Sequence, residues 1–467
     1  MTVSVTFMGG VRTTTGSRYL LRAGNEKILI DCGLFEGLKE LRTKNWEPFP
    51  MAPSKLTAVV LTHSQLENAG YLPKLIQEGF EGKVYCSEAT KELCSIILKH
   101  NACTMNESLT DAIRFKSSKH PHPRPLYTSE DVDQSLDHFS GKAWEESFKI
   151  GNEFEVCLHY AGHILGASLV LVKVRGLHIL FSANLGRLYD PLLLAPSSIS
   201  QVDYLILEST YGNQLHPHLE PEKEIADSIK NTLTRKGVVI ISASTTCRLQ
   251  LLLYSLYELK KRQQIFNVPI YVDTCFKTLG YEIFQKYEND FRLPLKQIKE
   301  AIDSAHYIQS AQESERLRNK SEPMIIISGN EMATKGRILN HLKTFGTDAK
   351  NLILFTGFPT AGTRGAQLLS ESKSIKIHGA YWPIRAEVKQ IKSLSFHADY
   401  SEIIEWLRSC RMQPQKTFIT HGEPQASASL REKIENEFHW KCVEPRLGET
   451  IFLDRDNFQT HPCTQVQ

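Results

Sequence analysis

Short apolar runs separated by glycine and polar turns characterise the first hundred residues. VSVTFMG, SRYLLRAG and KILIDCG predict three strands, and the glycines between them are typical of hairpin turns. TAVVLTH and GKVYCS predict two further strands, whereas YLPKLIQEG and ATKELCSIILKH predict helices. The stretch from about 100 to 140 is polar, and SSKHPHPRP within it predicts a solvated surface loop.

The pattern changes near residue 220, after a series of strands that ends with YLILEST. EPEKEIADSIKNTLTRKG and RLQLLLYSLYELKKRQ have helical periodicity. GVVIISAS, PIYVDT, MIIISGN and NLILFTGF are continuous apolar runs of the kind that buried parallel strands show. This alternation predicts an α/β unit, and further strand and helix segments close the chain.

Composition narrows the class of protein but not its function. A length of 467 residues favours two domains, and 41% hydrophobic with 23% charged residues is typical of a globular protein. No apolar run approaches the roughly 20 residues of a membrane span, and the N-terminus lacks a secretory pattern. The ten cysteines form no CxxC pair, so we expect reduced thiols and a cytoplasmic protein. A net charge of +3 permits an anionic partner without requiring one.

The segment LTHSQLENAGYLP carries the first candidate chemistry, directly after a predicted strand. His63, Gln65, Glu67 and Asn68 lie within six residues of one another. Imidazole and carboxylate are good zinc ligands, whereas a neutral carboxamide is a weak one. The segment alone is therefore compatible with a metal site, with an altered metal site or with an ordinary turn.

Seven motifs in order resolve this choice: LIDCG, THSQLENAGYLP, AGHILGAS, FSANLGR, LESTYG, SFHADYSEI and THGEP. Together they resemble the metallo-β-lactamase superfamily in its β-CASP branch of RNA-processing nucleases, including bacterial relatives of the cleavage and polyadenylation nuclease. The resemblance covers nearly the whole chain. It implies an α/β fold, an αββα sandwich with an inserted smaller α/β cap. The implied domains are 1–205 and 386–467 for the sandwich and 206–385 for the cap.

The resemblance also implies a set of metal-ligand positions. Active members hold two zinc ions that activate a hydroxide and stabilise charge on a phosphodiester. The implied positions are His63, Gln65 and His163 for the first metal, Glu67, Asn68 and His421 for the second, and Asn184 for the bridging carboxylate. Three histidines match the family, a glutamate replaces an aspartate, and three positions are carboxamides. We therefore expect no metal or a weakly bound one, with zinc or manganese at partial occupancy if any is present.

Other motif positions imply the rest of the machinery. Glu208 and His397 match the family's acid–histidine pair, which acts on the leaving group. Arg248, Arg337 and Arg364 are candidate RNA contacts, although Cys247 and Glu331 depart from the small residues that usually flank a phosphate.

Three functional hypotheses follow. The first is a pseudoenzyme of RNA processing that binds RNA, or pairs with an active β-CASP nuclease or a second copy of itself. The second is an active metal-dependent phosphodiester hydrolase, an RNA exo- or endonuclease with an atypical metal site. The third is a scaffold with no role in nucleic-acid binding.

Overall fold

The computed structural model describes residues 2–118, 120, 122–217, 221–243, 247–274, 281–329, 332–357 and 359–454. We number its strands and helices in chain order. The strands are β1 Val3–Phe7, β2 Tyr19–Ala23, β3 Glu26–Ile30, β4 Ala58–Val60, β5 Lys83–Ser87, β6 Phe139–Lys142, β7 Phe148–Ile150, β8 Phe154–Tyr160, β9 Ser168–Val174, β10 Leu177–Phe181, β11 Tyr204–Glu208, β12 Val238–Ser242, β13 Ile270–Asp273, β14 His306–Ile308, β15 Met324–Ser328, β16 Leu352–Phe355, β17 Ser374–Ile377, β18 Ala380–Pro383, β19 Glu387–Gln390, β20 Lys416–Thr420, β21 Cys442–Val443 and β22 Thr450–Leu453.

The helices connect and cover these strands. They are α1 Lys39–Thr43, α2 Leu66–Ala69, α3 Leu72–Gln77, α4 Glu88–Arg114, α5 Ser129–Leu136, α6 Pro221–Thr234, α7 Cys247–Lys261, α8 Tyr281–Lys286, α9 Leu295–Asp303, α10 Ala311–Arg318, α11 Ile338–Phe345, α12 Arg364–Leu369, α13 Tyr400–Cys410 and α14 Pro424–Phe438. No helix of the described ranges combines the length and the apolar character needed to cross a bilayer.

Two seven-stranded sheets pack face to face, in the orders β22-β1-β2-β3-β4-β5-β6 and β21-β20-β11-β10-β9-β8-β7. Their inner faces share an apolar core that includes Phe7, Phe154, Phe181 and Phe418. A second core packs the outer face of the first sheet against α3, α4 and α5, and a third involves α13, α14 and the outer face of the second sheet. This confirms the predicted αββα sandwich, because each sheet buries apolar side chains on both faces.

A third sheet forms the cap, in the all-parallel order β14-β13-β15-β12-β16-β19. Every residue of β12 and β15 is buried, as the continuous apolar runs in the sequence predicted. Strand β19 pairs with β16, so the cap sheet continues a few residues beyond the boundary predicted at 385. The hairpin of β17 and β18 packs beside it as a separate two-stranded sheet.

Helix α4 connects the sandwich to the cap. It has 27 residues and continues to Arg114, well beyond the segment that predicted it. Ser87 caps its first turn by accepting a hydrogen bond from the backbone of Thr90. Its polar second half contacts the cap, where Lys335 donates to Asn101 at 2.8 Å and Arg337 pairs with Glu107 at 2.9 Å. Contact with the cap therefore accounts for a long helix in a polar stretch.

Candidate active site

The predicted site residues, together with Asp31 of the first motif, follow the ends of strands in both sandwich sheets. Asp31 follows β3, His63 follows β4 and His163 follows β8. Asn184 follows β10 and His421 follows β20. The loops after these strands bring the side chains to one edge of the sandwich, so residues that are almost 400 positions apart in the sequence meet there.

The backbone at this edge adopts a conformation that L-residues rarely take. The φ angles of Asp31, His163, Ala183 and His421 are 60°, 59°, 53° and 46°. Each such residue costs on the order of 1–3 kcal/mol, and such residues cluster at functional sites. Close packing fixes these loops, since a Cβ on Gly186 would lie 2.0 Å from the backbone nitrogen of His163. The loops that present the site are therefore held tightly against one another.

The carboxamides bond directly to the histidines. Gln65 Oε1 lies 2.7 Å from His163 Nε2 and 3.1 Å from His63 Nε2. Asn184 Nδ2 lies 3.2 Å from His63 Nε2 and 3.4 Å from His163 Nε2. In one consistent arrangement, His163 Nε2–H donates to Gln65 and Asn184 Nδ2 donates to His63. The ring nitrogens predicted to face the first metal thus have amide partners.

Asp31 and Asn68 form a second bonded group. Asn68 Nδ2 donates to Asp31 at 2.7 Å, and the backbone nitrogen and hydroxyl of Thr62 donate to Asp31 at 2.8 and 2.9 Å. The hydroxyl oxygen of Thr62 also lies 2.9 Å from His63 Nδ1. Burial raises the pKa of Asp31 to about 7, although the hydrogen bonds from Thr62 and Asn68 oppose this shift. The amide of Asn68 therefore serves as a donor to a carboxylate.

Burial keeps the site histidines neutral. Burial and then the charge of His421 lower the pKa of His63 to about 3. Burial lowers the pKa of His421 to about 4, although the charge of Glu208 opposes this shift. The pKa of His163 is also well below its ordinary value, chiefly because of burial and then the charges of His397 and His63. Neutral imidazoles beside neutral amides leave this cluster with little charge at neutral pH.

Glu208 and His397 form the predicted pair beside this cluster. His397 Nδ1 lies 2.9 and 3.1 Å from the two carboxylate oxygens of Glu208. Glu208 also accepts from the backbone of Leu185 and the hydroxyl of Thr210, each at 2.6 Å. Burial raises the pKa of Glu208, but the charge of His397 and its hydrogen bond outweigh burial and leave the pKa below its ordinary value. The rings of His397 and His163 are 4.5 Å apart.

Several residues at the site were not found from the sequence. Ser17 Oγ lies 2.7 Å from His421 Nδ1, and His216 Nε2 donates to the carbonyl of His397 at 2.8 Å. Asp399 accepts from the backbone of His216 at 2.8 Å and caps α13, and its own backbone nitrogen donates to the carboxylate of Glu402. The spacing of Asp399 and Glu402 is a readable capping signal. Ser17 and His216 carried no comparable signal.

The described residues at the predicted ligand positions do not form a three-donor metal site. Over the described part of the chain, one group of three His, Cys, Asp or Glu donors has its atoms within 4.8 Å of one another, namely His216, Asp399 and Glu402. The guanidinium of Arg187 lies 3.4 Å from Glu402, and its charge disfavours a cation there. A catalytic zinc normally takes three protein ligands, so the donors around His63 and His163 fit it poorly.

A small cavity of about 10 Å³ lies beside the cluster, lined by Asp31, Asn68, Asn184 and His421 among others. This is room for about one water molecule. The Oδ1 atoms of Asn68 and Asn184 are buried without a hydrogen-bond partner among the described residues. The site thus contains two amide oxygens that can accept a bond from water or face a hard cation.

Comparison with known proteins identifies the family. Three family models match, a Metallo-beta-lactamase superfamily domain over 20–207, a Beta-Casp domain over 249–368 and a Zn-dependent metallo-hydrolase RNA specificity domain over 381–445. Ribonuclease TTHA0252 of Thermus thermophilus is 30% identical over 429 residues, which cover 90% of this chain and 94% of the ribonuclease. This chain belongs to the β-CASP family. The resemblance predicted from the motifs is confirmed.

Two further comparisons are consistent with this. Transcription termination factor FttA of Methanosarcina mazei is 28% identical, over 92% of this chain and 69% of that factor. A crystal structure of a protein of unknown function from Enterococcus faecalis has a TM-score of 0.51 at 14% identity and covers 97% of this chain and all of that one, which shows the fold alone. The Zn-dependent description of the RNA specificity family model indicates a metal cofactor in the family.

The three arginines predicted to contact RNA lie in the predicted cap range. Arg248 is close enough to His163 for its charge to lower the pKa of that histidine. His163 belongs to the strand-end cluster, a name we use for His63, Gln65, Asn68, His163, Asn184 and His421. Arg248 is buried, with its guanidinium 5.3 Å from the ring centre of Phe396. Arg337 is also buried and bonds to Asp273 and Glu107. Arg364 is half-buried and donates to two backbone carbonyls. Their contact with RNA stays a prediction, and Glu331 and the side chain of Cys247 lie outside the described residues.

Proposed function

We propose that this β-CASP protein binds RNA without hydrolysing phosphodiester bonds. Its family and its ribonuclease relative support a role in RNA processing. The observation that carries the proposal is the bonding of Gln65 and Asn184 to the Nε2 atoms of His63 and His163. These amides occupy the side of the imidazoles from which a first zinc ion would be held.

Loss of charge supports the same conclusion. Two dications need negative charge between them, and Asn184 at the bridging position supplies none. The histidines remain neutral because burial lowers their pKa values, so they do not require an ion to be stable in the folded chain. A site whose histidines are neutral and bond to amides without metal has little capacity to activate a water molecule.

Metal analysis combined with an RNA cleavage assay tests the proposal. Protein purified without chelator should contain much less than one zinc per chain and should leave labelled single-stranded RNA intact with Zn²⁺, Mn²⁺ or Mg²⁺. The Thermus ribonuclease, assayed in parallel, serves as the positive control. Two tightly held zinc ions per chain, together with RNA cleavage that disappears in His163→Ala, would refute the proposal.

RNA binding needs its own measurement. Phosphate contacts make affinity fall steeply with salt, with a slope of about −0.7 per contact for single strands. Fluorescence anisotropy with a labelled RNA should therefore give a salt-dependent affinity. Binding that is absent, or that does not respond to salt, would favour a scaffold without a nucleic-acid role.

An active hydrolase with an atypical metal site is the second candidate, and one observation favours it. The unpartnered Oδ1 atoms of Asn68 and Asn184 adjoin a cavity the size of one water molecule. Mn²⁺ and Mg²⁺ accept amide oxygens more readily than zinc does. This candidate predicts RNA cleavage that requires added Mn²⁺ and is lost in both His163→Ala and Asn184→Ala.

We also propose that the protein acts in the cytoplasm, beside an active β-CASP nuclease or as a homodimer. Its family relatives and the absence of a membrane-spanning helix in the described ranges are compatible with this. Size measurement of the purified chain distinguishes a dimer from a monomer, and co-purification from its source identifies a second nuclease.

A further inference from the structure

A second cavity of about 320 Å³ lies where the second half of α4 meets the cap. Ser108 and Ser117 line it from α4 and the residues after it. The cap contributes Lys335, Arg364 and Lys376, the last of which lies in β17. His378, at the turn of the β17–β18 hairpin, completes the lining on this side. Three cationic side chains therefore surround a space large enough for a small ligand.

The positive charge around this cavity is only partly neutralised. Lys335 pairs with Glu36 at 3.1 Å, and His378 lies 3.6 Å from Asp111. Among the residues that the structure describes, no carboxylate pairs with Arg364 or Lys376. Arg364 instead donates to the carbonyls of Lys376 and Thr334, at 2.6 and 2.9 Å, so its positive charge has no counterion within the described ranges.

Two further observations indicate that a ligand is accepted here. Burial lowers the pKa of Arg364, and the nearby charge of Arg42 lowers it further, so this guanidinium lies in surroundings that favour an added anion. Ser108 Oγ and His378 Nδ1 are buried atoms without a hydrogen-bond partner in the described structure. Both border the cavity and can bond to the oxygens of an anion.

We propose that this cavity binds a phosphate group, held by Arg364 and Lys376 with hydrogen bonds from Ser108 and His378. The group belongs either to an RNA backbone or to a free phosphate. Arginine is well suited to phosphate because its planar donors match two oxygens at once. The RNA alternative rests on the proposed function, whereas binding of free phosphate does not.

The cavity is remote from the strand-end cluster. Thr90, in the first turn of α4, donates to the carbonyl of Gly166, which follows His163 closely in the sequence. Ser108 lies twenty residues beyond Glu88, the first residue of α4. Because an α-helix rises 1.5 Å per residue, Ser108 lies roughly 30 Å along the helix axis from Glu88. A phosphate bound here would be a contact additional to any made in the cleft.

Phosphate titration of the whole chain tests the proposal. Inorganic phosphate, added at constant ionic strength with chloride as the balancing anion, should raise the thermal midpoint in a saturable manner. The variant Arg364→Gln/Lys376→Gln should bind phosphate ~10-fold or more weakly, because charge-assisted hydrogen bonds are lost. Lys149→Gln, at an exposed position on β7, removes one positive charge as Lys376→Gln does, and it should behave like the unaltered protein.

Two further variants separate weaker phosphate binding from misfolding, because Arg364 also donates hydrogen bonds to two backbone carbonyls. Lys376→Gln leaves both carbonyl contacts of Arg364 in place, and Ser117→Asp adds a negative charge to the cavity wall. Each should weaken phosphate binding while circular dichroism shows a folded chain. Phosphate affinity that is equal in all folded variants would overturn the proposal.

RNA titration then identifies the source of the phosphate. If an RNA backbone occupies the cavity, the double variant should reduce the salt slope of RNA binding by about 0.7 for each lost contact. An unchanged slope with weakened phosphate binding would support the site and assign it to a free phosphate. No saturable phosphate effect and no change in slope would overturn it, and neither result depends on whether the cleft cleaves RNA.

Discussion

Two buried polar clusters in this chain provide hydrogen-bond partners for their polar atoms in different ways. The strand-end cluster of the sandwich consists mainly of neutral groups, with amides bonded to histidines. The cap contains a charged cluster around Asp273, whose carboxylate accepts from Ser314 at 2.5 Å, His341 at 2.6 Å and Arg337 at 2.9 Å. Both clusters satisfy most of their polar atoms, but only the second does so with matched charges.

The difference teaches what kind of change each cluster tolerates. A buried charge network is sensitive to loss of one member, since the remaining charge is left without a partner. In a neutral amide cluster, loss of one member leaves no buried charge without a partner. We therefore expect the strand-end cluster to tolerate a single substitution better than the cap cluster does.

Removing Asp273 should have the largest effect on this comparison. Asp273→Ala leaves His341 without its carboxylate and Arg337 with Glu107 as its remaining acidic partner, which should lower the free energy of unfolding by about 3–5 kcal/mol. Urea denaturation at pH 7 measures this change. Glu387→Gln, which disturbs a surface pair with Arg235, should cost less than about 1 kcal/mol and serves as the control. Equal costs for the two variants would show that the cap network is not held by charge.

Restoring family residues should convert the neutral cluster into a charged metal site. The combined variant Gln65→His, Glu67→Asp, Asn68→His and Asn184→Asp should bind zinc, and zinc at a hundred times its dissociation constant should stabilise it by about 2.7 kcal/mol. Thermal unfolding with and without zinc measures this. The single changes should give much less than a quarter of the effect each, because they build one site. Zinc that stabilises the unaltered chain equally would contradict the comparison.

Acid should destabilise the strand-end cluster through its histidines. The folded pKa of His421 is lowered to about 4, so its contribution to stability is present above the unfolded value near 6.5 and is lost as pH falls towards 4. The slope reaches up to about 1.4 kcal/mol per pH unit for each histidine. His421→Gln should flatten the curve of unfolding free energy against pH, whereas His122→Gln in an exposed loop should not.

Titration of Asp31 changes the free energy of unfolding with pH in the opposite direction to that of His421. The folded pKa of Asp31 is raised to about 7, so this group favours the folded state at low pH and this contribution is lost as pH rises from about 4 to 7. Asp31→Asn should therefore steepen the loss of stability on acidification over this window. A curve that shifts in the other direction would show that the carboxylate is ionised in the folded protein.

The smallest effect is expected for Arg337 in RNA binding. Its guanidinium is committed to Asp273 and Glu107, so Arg337→Gln should lower stability while leaving the salt slope of RNA binding unchanged within error. Anisotropy titrations on folded protein at several salt concentrations measure this. A slope that falls by about 0.7 would place Arg337 on the RNA and would weaken the distinction between the two clusters.

Much of the fold could be predicted from the sequence because the patterns that indicate it lie within short segments. The apolar runs of β12 and β15 and the motifs after the sandwich strands were sufficient to predict sheets and family. The length of α4 was not predictable, since its polar second half is held by contacts with Lys335 and Arg337 that are distant in sequence. The bonds of Ser17 to His421 and of His216 to His397 are distant in the same way.

The candidate site was predictable in position but not in its bonding. The motifs located Gln65, Asn68 and Asn184, yet they did not show that Gln65 bridges two histidines or that Asn68 donates to Asp31. Such bonds depend on side-chain orientation, which sequence spacing does not specify. The cavity around Arg364 could not be predicted from the sequence, because its walls come from α4, the cap loop before α11 and the β17–β18 hairpin.

The left-handed turns at Asp31, His163, Ala183 and His421 have a consequence for design. They direct four loops to one edge of the sandwich, and the close packing of these loops holds that arrangement. An engineer could therefore introduce new catalytic groups into this protein by point substitution, without redesigning a single loop.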